Sequence, residues 1–453
     1  MSVTNKFLSL LKNNDNKELS SNVVYTLIIK GLAMLMSILI VPAYVKYFSN
    51  DSAYGAWVTV SSVFTWITMF DFGIGNGLRN NLVKTIAKND SEGSKKYISS
   101  AYIAIGVISL AIWVMGDLII GLLDWNYFLK VSADIVSPGV FKTYIQIVFA
   151  GVVIHFFFLL ISSICYAIQK TFLPSLVTLL TQVMLLIFIS LPTGTAGLET
   201  KILRLSGAYA ISYNLPIFVL TLILFIGKLR QMRPSVRGFD RTCAKDIMNL
   251  GGKFFLIQIA LVALGSSNEI YINMFFRSED VVQYNYYHKL FYIILVFLTL
   301  IQQPIWSAVT KAYYEKRYAW IQNVWKLMCG IAAVCVLGSI ALALIYQTIA
   351  DIWLGKGVLT VDGFTLALFV IVTAESAVIN TANCFANGFG KLKTQTVCTV
   401  LGAVIKLPTA FIASYFICTW QAIMLATVIA QMPLTIVQPV VISKYINSQA
   451  RKV

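Results

Sequence analysis

The sequence predicts an all-α polytopic membrane protein with about twelve transmembrane helices in two six-helix lobes. Three observations carry this reading. Of 453 residues, 58% are hydrophobic and only 12% are charged, and the mean hydropathy is +0.78. Apolar runs of roughly 20 residues, the length that crosses a bilayer, recur along the whole chain. A basic connector, GKLRQMRPSVRGFDRTCAKD from Gly227 to Asp246, sits near mid-chain and separates six runs from six.

In chain order, residues 1–21 carry Lys6, Lys12 and Lys17 around a short apolar cluster of Phe7, Leu8, Leu10 and Leu11. That cluster is too short for a signal-peptide core, so the segment is expected to be a cytoplasmic tail or a small interfacial helix. An N-lobe over 22–227 holds spans at 22–46, 54–73, 97–122, 142–167, 172–191 and 206–227. A basic cytoplasmic linker follows over 228–250. A C-lobe over 251–446 holds spans at 252–276, 284–309, 321–348, 363–387, 395–417 and 420–443, and residues 447–453 form a second cytoplasmic tail. An even number of spans puts both termini on one side, and most of the 35 lysines and arginines fall there, which makes that side cytoplasmic. The halves share local patterns. Cys165-Tyr166-Ala167 before Lys170 has a counterpart in Cys384-Phe385-Ala386 before Lys391, and Tyr54-Gly55-Ala56-Trp57 has one in Tyr284-Asn285-Tyr286-Tyr287. Six plus six spans in one orientation make a parallel repeat, the architecture of a transporter that rocks about a central cavity.

Composition also excludes function classes. The net charge of +16 lies in short connectors between apolar runs, where it sets topology rather than binding nucleic acid. Seven cysteines form no CxxC pair and lie mostly in apolar runs, so neither disulfides nor a zinc site is expected. There is no HExxH, no GxSxG and no GxxxxGK[ST], hence no hydrolase, metal or nucleotide signature and no cofactor. A membrane-embedded glycosyltransferase is disfavoured because the connectors, about 20 to 25 residues at most, leave little room for donor-binding and acid/base groups.

The candidate site residues are ionisable groups within spans and one glycine-rich stretch. FDFGIGNGLRNNLVK, Phe70 to Lys84, places Gly73, Gly75 and Gly77 before Arg79 and Lys84. The glycines are expected to turn the chain and leave peptide N–H groups beside a guanidinium that binds phosphate bidentately; alternatively they serve only turning and packing. Lys30 lies about 12 Å into the first span, at a depth where Asp71 can pair with it. Glu375 and Lys406 both fall near the midplane of adjacent antiparallel spans, and Glu269 and Lys289 fall at similar depth toward the periplasmic end; each pair is expected to be either an ion pair or a set of cavity groups. His155, near the midplane of the fourth span, is the group most easily switched by protonation, though a lone membrane histidine is commonly a packing residue.

SILIVPAYVKYFSNDSAYGAWVTV, Ser37 to Val60, followed by FDFGIGNGLRNNLVK, resembles the polysaccharide transporter family, specifically the Wzx-type flippases of O-antigen units. The resemblance rests on Pro42, Tyr54-Gly55-x-Trp57, Asp71-Phe72-Gly73 and Arg79-Asn80, and is specific over about Val23 to Lys84. It implies a MATE-like fold, a bacterial inner-membrane location, and an undecaprenyl-diphosphate-linked oligosaccharide as cargo, with membrane lipids and other O-antigen assembly proteins as partners. Arg79, Lys30, Lys84, Lys406 and Lys289 would then meet the diphosphate or line the cavity, and Asp71, Glu269, Glu375 and His155 would serve coupling or gating. The alternative on the same fold is a proton- or sodium-coupled multidrug exporter relying on a buried acid, Glu269 or Glu375.

Overall fold

The computed structural model describes residues 14–49, 57, 61, 73–128, 133, 136–191, 197–276, 278–354, 356–357 and 359–451. The described residues are helical apart from short turns and connections. Helix α1 runs Asn14–Phe48, so residues 14–21, expected as a tail, already belong to the first helix, and 1–13 lie outside the described residues. The second expected span, 54–73, also lies outside them except for Trp57, Ser61 and Gly73. There follow α2 (Ile74–Ala87), α3 (Ser91–Leu122), a short α4 (Trp125–Phe128), α5 (Pro138–Ala167), α6 (Phe172–Ser190) and α7 (Leu198–Ile226). After two 3-10 turns come α8 (Arg241–Leu261), a π-helical turn (Val262–Ser266), α9 (Asn268–Phe275), α10 (Ser278–Tyr314), α11 (Tyr318–Leu344), α12 (Tyr346–Leu354), α13 (Gly363–Phe389), α14 (Lys393–Ile417) and α15 (Gln421–Ala450).

Ten helices among the described residues are long and apolar enough to cross a membrane: α3, α5, α6, α7, α8 with its π turn, α10, α11, α13, α14 and α15. Nine of them coincide with the third to sixth and eighth to twelfth expected spans, whereas the seventh, expected unbroken over 252–276, is interrupted: α8 starts at Arg241, gives way to the π turn and resumes as α9. This is a multi-pass membrane protein. The helices overrun the apolar runs where polar residues continue the ladder. Helix α3 begins at Ser91, six residues before the expected edge, because Asp90 accepts a hydrogen bond from Gly93 N at 2.8 Å and Lys96 pairs with Glu92 at 2.9 Å one turn apart.

The chain divides into two compact units, Met1–Gly251 and Gly252–Val453, and the division falls inside α8. In the first unit α5 packs against α2, α3 and α7, and α6 against α1 and α7. In the second, α13 packs against α10, α11 and α15, and α14 against the π turn and α15. The pairing pattern is therefore repeated. So is the way helices end. The helices at the centre of each pattern, α5 and α13, close on a residue with positive φ, Gln169 (61°) and Gly390 (67°). Behind it, Lys170 N donates to Cys165 O at 2.8 Å and Lys391 N to Ala386 O at 3.0 Å. Helices α2 and α10 end likewise at Asn89 and Lys316, with Asp90 N bonded to Thr85 O and Arg317 N to Ala312 O. These are Schellman closures, six residues from donor to acceptor. Their geometry aligns Lys170 with Lys391, as expected, but sets Cys165 opposite Ala386 rather than Cys384.

The linker expected over 228–250 is only half a linker. Turns Arg230–Met232 and Val236–Gly238 lead into α8, which starts at Arg241. Small polar residues of α3 hold this segment. Ser235 N and Asp240 N donate to Ser99 Oγ and Ser100 Oγ at 3.1 and 2.9 Å, and Tyr97 OH donates to Asp246 Oδ2 at 3.0 Å.

Candidate functional site

The glycine-rich stretch is a cap, not an open loop. Gly73, at φ 68°, is the residue before α2, a left-handed conformation that glycine adopts without a Cβ penalty. Gly75 and Gly77 are inside the helix and buried. The reason for Gly77 is proximity, since a Cβ there would stand 2.6 Å from Ile247 O and 3.2 Å from Gly251 N. A Cβ on Gly251 would in turn stand 3.0 Å from Gly73 O, so α2 and α8 meet glycine to glycine. Arg79 is 1% exposed, its guanidinium 4.8 Å over the Tyr166 ring of α5. Lys84, in the last turn of α2, is half-buried. Lys30 is half-buried on α1, while Asp71, expected as its partner, lies outside the described residues.

Aromatic residues of the first unit pack on one another. Trp57, 2% exposed, stacks on Tyr144 (5.4 Å) and meets Tyr209 edge-on (5.6 Å), and Tyr209 continues to Tyr213 at 4.5 Å. His155 joins this file edge-on to Tyr213 at 5.4 Å, with Nδ1 buried and without a hydrogen-bond partner among the described residues.

In the second unit the sequence-derived pairs are replaced by other partners. Lys406, with 0% exposure, does not meet Glu375. Its Nζ donates instead to the π turn and the residues just after it: Ala263 O at 3.4 Å, Leu264 O, Ser267 Oγ at 2.9 Å and Asn268 Oδ1 at 2.6 Å. A π turn shifts carbonyls out of the i, i+4 ladder, and two of those carbonyls point at the ammonium here. Gly402, one turn earlier on α14, brings the helix this close, because a Cβ there would stand 2.3 Å from Ala430 O of α15 and 3.4 Å from Leu264 Cδ2. Asn268 is oriented by its own neighbours. Thr427 Oγ1 donates to Asn268 Oδ1 at 3.0 Å, and Asn268 Nδ2 donates to Tyr284 OH at 3.3 Å. The Tyr271 ring lies 5.2 Å from Nζ.

Glu375 is 7% exposed on α13, and its Oε2 is buried without a hydrogen-bond partner among the described residues. Buried side-chain atoms of Thr381, Asn383, Gln395 and Gln438, on α13, α14 and α15, share that condition. Glu269 and Lys289 are both exposed and form no ion pair with each other among the described residues. His288 stacks on Tyr284 at 5.3 Å. Sequence reasoning missed Ser267, Asn268 and Thr427. The available signal was Gly265-Ser266-Ser267-Asn268, a polar patch in the middle of an apolar run read as one unbroken span.

No protein-family profile and no curated relative matches this sequence. Solved structures do. A MATE protein in a bent conformation superposes with a TM-score of 0.79 at 16% identity, covering 99% of this chain and 99% of that one. An outward-facing multidrug-resistance MATE family transporter of the MOP superfamily gives 0.75 at 17% identity, again covering 99% of both. This chain has the MATE fold. A third structure with that fold is a MOP superfamily transporter from Pyrococcus furiosus, described as having a binding pocket of reverse polarity that suggests a different function. It superposes with a TM-score of 0.74 at 16% identity over 95% of this chain and 97% of that one. Within the MATE fold, the buried Lys406 stands on α14 and the buried Glu375, whose Oε2 has no hydrogen-bond partner among the described residues, on α13, the adjacent helix in sequence.

Proposed function

We propose that this chain is a membrane transporter of the MOP superfamily. Its cargo is an undecaprenyl-diphosphate-linked O-antigen oligosaccharide, moved by alternating access from the cytoplasmic to the periplasmic leaflet of a bacterial inner membrane, with both termini in the cytoplasm. The fold supports transport. The observation that supports an anionic cargo is Lys406, whose hydrogen bonds among the described residues go to neutral oxygens, so that no described carboxylate in contact cancels its positive charge. An uncompensated cation in low dielectric repels cationic drugs and attracts a diphosphate. Lys30, Lys84 and Lys289 retain side-chain surface with which to meet the diphosphate, whereas Arg79 and Lys406, being buried, act on it through position and field. The test is reconstitution into liposomes with defined lipid-linked oligosaccharides. Leaflet exchange above that of protein-free vesicles is expected, and drug efflux without such exchange would sink the reading.

A second reading, the cation-coupled exporter, is favoured by one observation, the buried carboxylate oxygen of Glu375 that has no hydrogen-bond partner among the described residues. It requires transport that follows the proton or sodium gradient and is abolished by Glu375→Gln. Transport indifferent to both removes Glu375 from coupling.

A further inference from the structure

The four oxygens around Lys406 Nζ are an unusual setting for a buried lysine. Two are backbone carbonyls released by the π turn, one is the Ser267 hydroxyl and one the Asn268 amide oxygen. No carboxylate among the described residues contributes. Neutral carbonyl, hydroxyl and amide oxygens supplied by an interrupted helix are the ligands with which membrane proteins hold Na+ or K+. A divalent ion commonly draws on carboxylates, of which this shell has none. The shell is also fixed before its cation arrives. Asn268 Oδ1 is turned toward Nζ because Nδ2 on the other side donates to Tyr284 OH and Thr427 Oγ1 donates to Oδ1. Gly402 holds α14 against α15 and Leu264, which sets the ammonium among the oxygens.

We propose that the Lys406 ammonium is a resident substitute for an alkali-metal ion, occupying a cation site of Ala263 O, Leu264 O, Ser267 Oγ and Asn268 Oδ1 that takes Na+ or K+ once the lysine side chain is removed. A compact, singly charged, donor-only ammonium matches a monovalent ion in charge and in its demand for oxygen acceptors. By tethering that charge to α14, the chain keeps the second unit in the ion-loaded condition whatever the salt outside. Removal of the side chain leaves two π-turn carbonyls, a hydroxyl and an amide oxygen converging on a buried void, at a cost that an incoming cation relieves.

The test uses the full-length chain purified in detergent as wild type, Lys406→Ala and Lys406→Ser, with unfolding midpoints in NaCl, KCl and choline chloride at equal ionic strength. Wild type is expected to be the same in all three. Each variant is expected to be destabilised in choline and to gain roughly 5 °C or more in NaCl or KCl, saturating with concentration as a bound ligand does. Adding Asn268→Leu to Lys406→Ala is expected to abolish the gain. Variants that fold but respond equally to all three salts overturn the proposal, as do variants that fail to fold in every salt, since no ion then replaces the ammonium. A salt response that survives Asn268→Leu places the ion elsewhere and overturns it as well.

Discussion

Gly402 and Lys406 stand one helical turn apart on the same face of α14, and the absence of a side chain at the first sets how far the second can reach. At 402 a Cβ would fall 2.3 Å from Ala430 O, a backbone atom that cannot rotate away. Gly402→Ala is therefore expected to push α14 from α15 and draw Nζ from the π turn, at a cost of about 1–3 kcal/mol. The control is Gly207→Ala on α7, where nothing lies within 4 Å of the added carbon, and where the helix should gain about 0.5–1 kcal/mol. Thermal midpoints of the two variants in one detergent should move in opposite directions; a neutral Gly402→Ala would mean that the helices slide apart without penalty.

The three glycines at the head of α2 have separable roles. Gly73 is constrained by backbone conformation, so Gly73→Ala is expected to cost roughly 1–2 kcal/mol and Gly73→Asn less, because asparagine visits the left-handed region. Gly77 is constrained by the Ile247 carbonyl, so alanine and asparagine should both be damaging there. The ranking of Asn against Ala at the two positions, read from the yield of monodisperse protein, distinguishes strain from contact.

The positions of the apolar runs were legible because the bilayer length fixes them, and of the third to twelfth expected spans all but the seventh, which the π turn interrupts, have a matching helix. Helix ends were not, because pairs such as Glu92 and Lys96 sustain a helix outside the apolar region. Gly73 was legible as a turn. Gly75 and Gly77 read the same way in sequence but are helical, since a glycine required by a neighbouring helix cannot be told from one required by φ without knowing the neighbour. That Lys406 lies inside a span was legible as well. Its partner was not: charge matching suggested Glu375, whereas the acceptors are carbonyls freed by a local change of helix type that side-chain charges do not reveal.

Arg79 is enclosed, 1% exposed and seated over Tyr166, which makes its loss a folding event before it is a binding event. Arg79→Ala is expected to lower stability by roughly 2–4 kcal/mol through the void and the stranded neighbours. Arg79→Lys keeps the charge but not the planar face over the ring, and should fall between. Quantifying inserted protein by fluorescence-detected chromatography alongside transport separates the two effects. Normal amounts of folded Arg79→Ala with no transport would assign the guanidinium to cargo rather than to the fold.

Asp240 supplies the pH-dependent test. Its carboxylate accepts a hydrogen bond from Cys243 N at 2.9 Å in the first turn of α8, and that bond holds it below its ordinary value of 3.8. A group depressed in the folded state stabilises fully above the unfolded value and loses that contribution as pH falls through the folded one. Asp240→Ala is therefore expected to lower the unfolding midpoint by a similar small amount at about pH 7 and about pH 5, with the gap to wild type narrowing near pH 3. The contribution is small because the carboxylate is exposed to solvent. Ser100→Ala, which removes the hydroxyl bonded to Asp240 N and Asp240 O on the same turn, should lower the midpoint without that pH signature, because a hydroxyl does not titrate in this range. A gap that widens on acidification would show that the carboxylate opposes the native turn rather than capping it.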